Sequence, residues 1–159
     1  MKIPKEKAIS KVKRELCEAF GHRATASIDE SDLNGFLHNR YDYEADYLLS
    51  MLPVIMLYLL EAEFDPPTRF SLENAVQLVS PGTFDGYKTT EGIRLRNIEK
   101  VNARRALEIC VALTPHQGMA VLSWLRYILA KLGNDPLDKG VRQAIGWWEQ
   151  KLEGAVTDK

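Results

Sequence analysis

Three side chains in the first third of the chain have the types and the spacing of a metal site. His38, Asp42 and Asp46 follow one another at intervals of four residues, so one continuous helix would place them in a single row. Imidazole and carboxylate groups are both common ligands of divalent metal ions. The row predicts a metal protein or a metal-dependent enzyme if one helix covers residues 38–46. It predicts a solvated acidic face if the helix breaks there.

His116 is a second candidate, in this case for acid–base chemistry. It comes directly after Thr114-Pro115, at the predicted start of a helix, where a neutral imidazole could act as a base. No nucleophile lies close to it in sequence, and the second position of a capped helix normally faces solvent. The sequence therefore favours a histidine without a catalytic role, and it predicts neither a catalytic set nor a cofactor.

A basic set in the second half of the chain raises nucleic-acid binding as another alternative. Arg96, Lys100 and Arg104 are spaced so that one helix face could meet phosphates, and Arg94 and Arg105 lie beside that row. The net charge of −1 and the lack of a complete helix-turn-helix signature count against this interpretation.

The segment before the most apolar stretch is rich in both acids and tyrosine. Residues 28–65 have a net charge of −8, whereas residues 1–27 and residues 88–105 each sum to +4. The acids could pair with these basic segments inside the fold, at modest benefit per pair. Alternatively they could dock a basic protein, because aromatic residues anchor interfaces and charge steers the encounter. The residues of this predicted docking surface are Tyr41, Asp42, Tyr43, Glu44, Asp46 and Tyr47.

The docking interpretation makes a non-enzymatic protein-binding domain the leading prediction. An immunity or antitoxin-like protein is one version of it, since such proteins are small and often bind basic toxins with acidic faces. The start of the chain has no apolar run typical of a secretory signal, so we expect a cytoplasmic protein. The apolar run at residues 47–60 is too short to cross a bilayer and predicts a buried helix, not a membrane span.

The elements that must position these residues are all predicted to be helices. Apolar residues recur at helical spacing along the chain, and no segment alternates with a period of two. With 159 residues and 45% apolar content, the chain can form a core without disulfides or metal. We predict a compact all-α bundle, orthogonal or up-down, of about five to seven helices. One domain would cover residues 1–159, with a frayed tail at residues 154–159.

Local signals predict where the helices begin and end. The first helix is expected over Pro4–Phe20, and a long one over residues 93–112, after a loop near residues 80–92. The other signals are a short helix capped by Ser31 or Asp32, a kink or split at Pro53, a helix end near Glu63 that Pro66-Pro67 enforce, and a following start at Ser71. Starts are also expected at Thr114-Pro115, with Gln117 completing a capping box and Gly133 ending the helix, and at Asp135-Pro136.

Two short motifs resemble a family of small uncharacterised bacterial helical proteins, a domain of unknown function. That family has a Leu-Ser-Pro-x-x-Phe stretch and a Leu-Thr-Pro-x-Gln helix that leads into a Phe/Trp-Leu pair. The resemblance implies an α-helical bacterial domain, and it implies no activity. The chain departs from the family pattern at Gly82, where a glycine-rich loop follows. The matching residues here are Ser80, Pro81, Phe84, Thr114, Pro115, Gln117, Trp124 and Leu125.

The spacing of the cysteines and of the tandem tryptophans predicts which of them are buried. Cys17 and Cys110 both have apolar neighbours and are expected in the core as small apolar residues. Trp148 falls on the apolar row of the last helix, whereas Trp147 lies about 100° away around the helix. Trp147 is therefore expected in a partial surface patch, which could seal a groove, bind a partner or support a homodimer.

Overall fold

The computed structural model describes residues 5–21, 28–81 and 104–157, and these residues form helices, turns and short connections without a strand. The predicted all-α fold is confirmed. No helix among these residues is long and apolar enough to cross a membrane. The elements are α1 (Lys5–Phe20), α2 (Glu30–His38), a 3₁₀ turn (Arg40–Asp42), α3 (Ala45–Glu61), α4 (Pro66–Leu78), α5 (104–112 as described), α6 (Pro115–Leu132) and α7 (Asp138–Thr157).

The apolar helix α3 lies at the centre of the core, in contact with α1, α4 and α6. Pro53 stands inside this helix without dividing it, which excludes the split of the two predicted alternatives, a kink or a split. Burial on both sides of the proline holds the helix together although one backbone donor is missing. The buried residues of α3 are Leu48, Leu52, Pro53, Val54, Ile55, Met56, Leu59 and Leu60.

Two buried tryptophans attach the C-terminal helices to α3 and α4. The indole N–H of Trp124 on α6 donates to the Met56 carbonyl at 2.9 Å, and that of Trp148 on α7 donates to the Val79 carbonyl at 2.9 Å. Helices α6 and α7 approach closely at Gly118, where an added Cβ would lie 2.8 Å from the Trp148 ring. The glycine is therefore needed for this approach, and α7 is fixed against both α4 and α6.

The start of α6 confirms the predicted capping box. The Thr114 hydroxyl accepts a hydrogen bond from the Gln117 backbone N–H at 3.1 Å, and Gln117 Oε1 accepts one from the Thr114 N–H at 3.0 Å. Pro115 takes the first helical position, where no intrahelical donor is lost. Gly133 ends the helix at a φ of +62°, a conformation that a side chain would disfavour.

Lys131 joins the ends of α6 and α3. Its ammonium donates to the Leu60 carbonyl at 3.4 Å and to the Ala62 carbonyl, and it lies 4.4 Å from the centroid of the Phe64 ring. The last carbonyls of a helix lack intrahelical donors, and the helix dipole favours a cation there. Lys131 therefore caps α3 from the neighbouring helix.

Helix α3 ends at Glu61, within two residues of the predicted end near Glu63, but the predicted start of the next helix at Ser71 is wrong because Pro66-Pro67 already begin α4. The Asp65 carboxylate caps α4 by accepting a hydrogen bond from the Thr68 backbone N–H at 3.0 Å. Hydrogen bonds from the backbone and the side chain of Thr68 hold the pKa of Asp65 below its ordinary value. Ser71, the predicted start, is a buried residue in the middle of α4.

Two other helix starts differ from the prediction by two or three residues. Asp29 caps α2, with its carboxylate 2.8 Å from the Asp32 backbone N–H, so neither Ser31 nor Asp32 is the cap. Asp135 bonds the N–H only two residues ahead, that of Leu137 at 3.0 Å, which makes a turn before α7 begins.

The remaining boundary predictions have mixed outcomes. Helix α1 ends at Phe20 as expected, and residues 104–112 of the predicted helix 93–112 are helical. The rest of that helix, residues 93–103, lies outside the described residues, as does the loop from residue 82 onward. In the predicted tail, residues 154–157 still belong to α7, and residues 158–159 lie outside the described part.

Candidate functional site

The connection between α2 and α3 carries the residues that the sequence singled out. Asn39 ends α2, since its backbone N–H and its side-chain Nδ2 both donate to the Gly35 carbonyl, at 3.2 and 3.1 Å. The 3₁₀ turn Arg40–Asp42 follows, and Tyr43 and Glu44 are extended before α3 begins at Ala45. The acidic residues of this connection thus lie on a turn and a helix start, not on one helix.

This break corrects the predicted metal-site row. His38 is the last residue of α2, Asp42 lies in the 3₁₀ turn and Asp46 lies in α3, so the three side chains do not share a helix face. Within residues 5–21, 28–81 and 104–157, no group of three His, Cys, Asp or Glu side chains is placed to hold a metal ion. The spacing of four residues predicted a row only because it assumed a continuous helix.

Arg40 attaches the connection to α2 and α4. Its side chain is buried, with Nη1 donating to the Leu37 carbonyl at 2.9 Å and Nη2 donating to Gln77 Oε1 on α4. The arginine therefore ties the 3₁₀ turn to the fold. It is the one cation in residues 28–65, and it is a part of the support and not of the exposed surface.

Polar contacts with α4 also hold α2 in place. Thr68 Oγ1 donates to Glu30 Oε1 at 3.1 Å, and the buried Ser71 hydroxyl bonds Asn34 Oδ1. These contacts and Arg40 attach α2 along its length to α4. The end of α2, from which the connection leaves, is consequently fixed in position.

Three aromatic rings pack together where α2 meets the start of α3. We call Phe36, Tyr43 and Tyr47 the aromatic cluster. Phe36 and Tyr43 are stacked, with centroids 5.0 Å apart, and Tyr47 lies 5.1 Å from Tyr43 and 5.7 Å from Phe36. Phe36 is 8% exposed, whereas Tyr47 is 49% exposed. The cluster thus has a buried base and an open edge, and the predicted Tyr43 and Tyr47 do come together.

Three carboxylates lie next to Tyr43 and Tyr47 in the sequence. Asp42, Glu44 and Asp46 are all exposed, and none of the salt bridges between described residues involves them. Together with Tyr43 and Tyr47 they form what we call the acidic tyrosine surface. The side chain of Tyr41, the remaining residue of the predicted set, lies outside the described part.

Four of the six other acids of residues 28–65 have structural roles. Glu61 pairs with Lys13 of α1 at 2.6 Å, which is the internal pairing that the charge pattern left open. Asp29 and Asp65 cap helices, and Glu30 accepts a hydrogen bond from Thr68. The internal-pairing alternative therefore applies to Glu61, and docking by other acids of the segment stays a prediction. Structural roles account for these four acids, and the three around the tyrosines have no such role among the described contacts.

The predicted basic row is only partly within the described residues. Arg94, Arg96 and Lys100 lie outside them. Arg104 is exposed at the first described residue of α5, and Arg105 pairs with Glu108 at 3.2 Å. Nucleic-acid binding by this row stays a prediction.

The histidine and cysteine candidates lie on three different helices, His116 on α6, Cys110 on α5 and Cys17 on α1. His116 is exposed at the second position of α6, as expected for a residue that faces solvent. Cys110 is buried as predicted, and burial raises the pKa of its thiol to about 12, although nearby Lys151 opposes the rise. Cys17 is exposed, so its predicted burial is wrong. On α1 the inward residues are Val12 and Leu16, and Cys17 lies about 100° from Leu16.

These thiol environments predict a large difference in reactivity. At pH 8 a thiol with a pKa of about 12 is ionised in about one molecule in ten thousand, and only the thiolate attacks a disulfide reagent. We expect Ellman's reagent to modify one thiol of the native protein rapidly and the second only in denaturant. A Cys17→Ser variant should show no rapid phase. Rapid release from two thiols in the native protein would contradict the burial of Cys110.

Comparisons of the chain with protein-family models, with curated proteins and with solved structures found no match. The resemblance to small bacterial helical proteins accordingly stays a prediction. The acidic tyrosine surface is the predicted set whose tyrosine rings the structure brings together. Sequence reasoning missed Phe36 and Gln77, which support that surface, because their contacts depend on the packing of α2 against α3 and α4.

Proposed function

We propose that this chain is a protein-binding domain that docks a basic partner protein on the acidic tyrosine surface. The observation that carries the proposal is the environment of Tyr47, a half-exposed ring braced by Tyr43 and Phe36 and accompanied by exposed carboxylates. A large ring that is already held in place loses little conformational freedom when a partner covers it. Such residues are typical anchors of protein interfaces.

The carboxylates contribute a different part of the recognition. Charges at the rim of an interface mainly raise the rate of association and select the sign of the partner. Asp42, Glu44 and Asp46 would therefore favour a basic protein, whereas Tyr43 and Tyr47 would supply the contact area. The proposal includes a cytoplasmic location in a bacterium and no catalytic role. An immunity or antitoxin-like protein, which covers a basic toxin, is one version of it.

Charge reversal at the surface tests the proposal. The immobilised protein is used to capture proteins from a bacterial lysate, in parallel with an Asp42→Lys/Asp46→Lys variant. A Glu18→Lys/Glu63→Lys variant is the control, because it changes the same net charge at two exposed residues, on α1 and beyond the far end of α3. We expect a basic protein whose capture falls at least about tenfold with the first variant only, and more so at low salt.

Two results would refute the proposed surface. Capture of the same proteins in the same amounts by the wild type and the Asp42→Lys/Asp46→Lys variant would refute the proposed surface. Equal losses with both variants would show a general dependence on net charge, and would also refute it. Circular dichroism of the three proteins checks that each is folded.

A further inference from the structure

The side of α1 that faces away from the core carries three cations. Lys7, Lys11 and Arg14 are exposed and follow one another at intervals of four and three residues, so they lie in one row along the helix. None of the salt bridges between described residues involves them. Glu18 ends the row with the opposite charge. We call Lys7, Lys11 and Arg14 the basic face of α1.

The basic face of α1 matches the acidic tyrosine surface in charge and in length. Lys7 and Arg14 lie about 10 Å apart along the helix axis, at a rise of about 1.5 Å per residue. Asp42 and Asp46 are four residues apart in the chain, so at most about 13 Å separates their Cα atoms. Both sets are exposed, and no described salt bridge neutralises either of them. The three cations can therefore face the three carboxylates at the same time.

The two surfaces do not meet within one molecule. Lys13, in the middle of α1, pairs with Glu61 at the last residue of α3. Asp46 is in the first turn of α3, about 22 Å from Glu61 along the helix axis. No described salt bridge joins the basic face to the acidic tyrosine surface. Contact between these surfaces therefore requires two molecules.

We propose that the basic face of α1 docks on the acidic tyrosine surface of a second copy of this chain. Lys7 and Lys11 would face the carboxylates, and the guanidinium of Arg14 would stack on the half-exposed ring of Tyr47. The free protein would then cover the surface that receives its partner, and a basic partner would have to displace the second copy. This regulatory consequence rests on the proposed function, whereas the self-association does not.

The contact is expected to be weak and sensitive to salt. Exposed ion pairs contribute little each, and dissolved ions screen them. One helix row against one turn is also a small interface, and small interfaces are typical of transient complexes. We expect a dissociation constant on the order of 10–100 µM at low salt, and about fivefold weaker association at physiological salt. A partner that binds more tightly can displace such a contact.

Sedimentation velocity of the full chain tests the self-association. At low salt, Lys7→Glu/Lys11→Glu should weaken it at least about tenfold, because like charges would then face each other. Arg104→Glu/Lys139→Glu is the matched control, since it changes the net charge equally at two exposed residues on α5 and α7. The control should associate like the wild type, and circular dichroism checks that both variants are folded. Equal association of the two variants would overturn the proposal.

Mixing two variants identifies the two surfaces as partners. Lys7→Glu/Lys11→Glu retains the acidic tyrosine surface, and Asp42→Lys/Asp46→Lys retains the basic face. Each variant alone should sediment as a monomer, and an equimolar mixture should associate. A mixture that stays monomeric would rule out the contact, and so would a wild type that stays monomeric at about 200 µM, above the expected dissociation constant.

Failure of this inference and failure of the proposed function give different results. An arginine-rich helical peptide that occupies the acidic tyrosine surface should dissociate the wild type into monomers. Binding of the peptide, measured by fluorescence anisotropy, without dissociation would refute the second-copy contact and leave the proposed function intact. Association of the mixed variants, together with no capture of a basic protein from the lysate, would support the contact and refute the proposed function alone.

Discussion

Replacing Trp148 with alanine should lower the free energy of unfolding by about 3–5 kcal/mol, the usual cost of removing a buried large aromatic side chain. Trp148 is fully buried, and its indole N–H donates to the Val79 carbonyl at 2.9 Å, where Val79 is the C-cap residue of α4. The variant would leave a cavity between α6 and α7 and remove the donor to that carbonyl. Urea unfolding followed by circular dichroism measures the loss.

The neighbouring residue supplies a matched control. Trp147 is only half-buried, and its ring meets the Trp148 ring edge-on with centroids 4.9 Å apart. Lys151 lies 5.2 Å from the Trp147 centroid, so part of the ring is covered by an ammonium and not by core. Trp147→Ala should cost about 1 kcal/mol, a value typical of substitutions outside the core. Equal losses for the two alanine variants would contradict the assignment of Trp148 as the core residue.

The same ring explains a glycine that would otherwise weaken α6. A glycine inside a helix costs about 1 kcal/mol relative to alanine. Gly118 is nevertheless required, because an added Cβ would lie 2.8 Å from Trp148 and 3.3 Å from Leu152. The ring cannot move aside easily, since it is buried and hydrogen-bonded to Val79. The close approach of α6 and α7 therefore outweighs the local propensity.

The sequence was most informative where local chemistry alone decides the structure. At the start of α6, Thr114, Pro115 and Gln117 act on one another within four residues, so the capping box could be predicted completely. The position of Trp148 on the apolar row of α7 also followed from spacing. In both cases the signal and the structure that it produces lie on the same turn or face of one helix.

A proline can end a helix or begin one, and the residue before it decides which. Pro66-Pro67 follows Asp65, whose carboxylate can cap a helix, and the pair then takes the positions where missing N–H groups cost nothing. The same logic correctly placed the start of α6 at Thr114-Pro115. Applied to Asp65, it would have given the start of α4. The error for Cys17 is similar, since the helical phase of Val12 and Leu16 already turns this residue outward.

The candidate site could be predicted only in part, because its geometry depends on tertiary packing. The types and order of its acids and tyrosines were visible, and Tyr43 and Tyr47 do come together. Phe36 and Tyr43 are seven residues apart across the end of a helix and a 3₁₀ turn, and no local pattern predicts that their rings stack at 5.0 Å. The burial of Arg40 against Gln77 likewise requires α4 to be in place. These contacts turn an acidic stretch of sequence into a supported surface.

Replacing Tyr47 with alanine should weaken the binding of an arginine-rich helical probe peptide about thirtyfold, which corresponds to about 2 kcal/mol for an interface anchor. A guanidinium stacks flat on an exposed aromatic ring and pairs with carboxylates at the same time, whereas an ammonium stacks less well. The wild type should therefore bind the arginine peptide several-fold more tightly than the same peptide with lysines. Tyr47→Phe retains the ring and should keep this preference.

This experiment separates the contribution of the ring from that of the charges. Tyr47→Ala should abolish the preference for arginine, because the half-exposed ring that carries it is removed. Asp42→Lys/Asp46→Lys should weaken both peptides by a similar factor, because a carboxylate attracts either cation. Fluorescence anisotropy of the labelled peptides measures all of these affinities. Equal binding of the two peptides by the wild type would show that charge alone governs recognition, and Tyr47 would then not be the anchor of the surface.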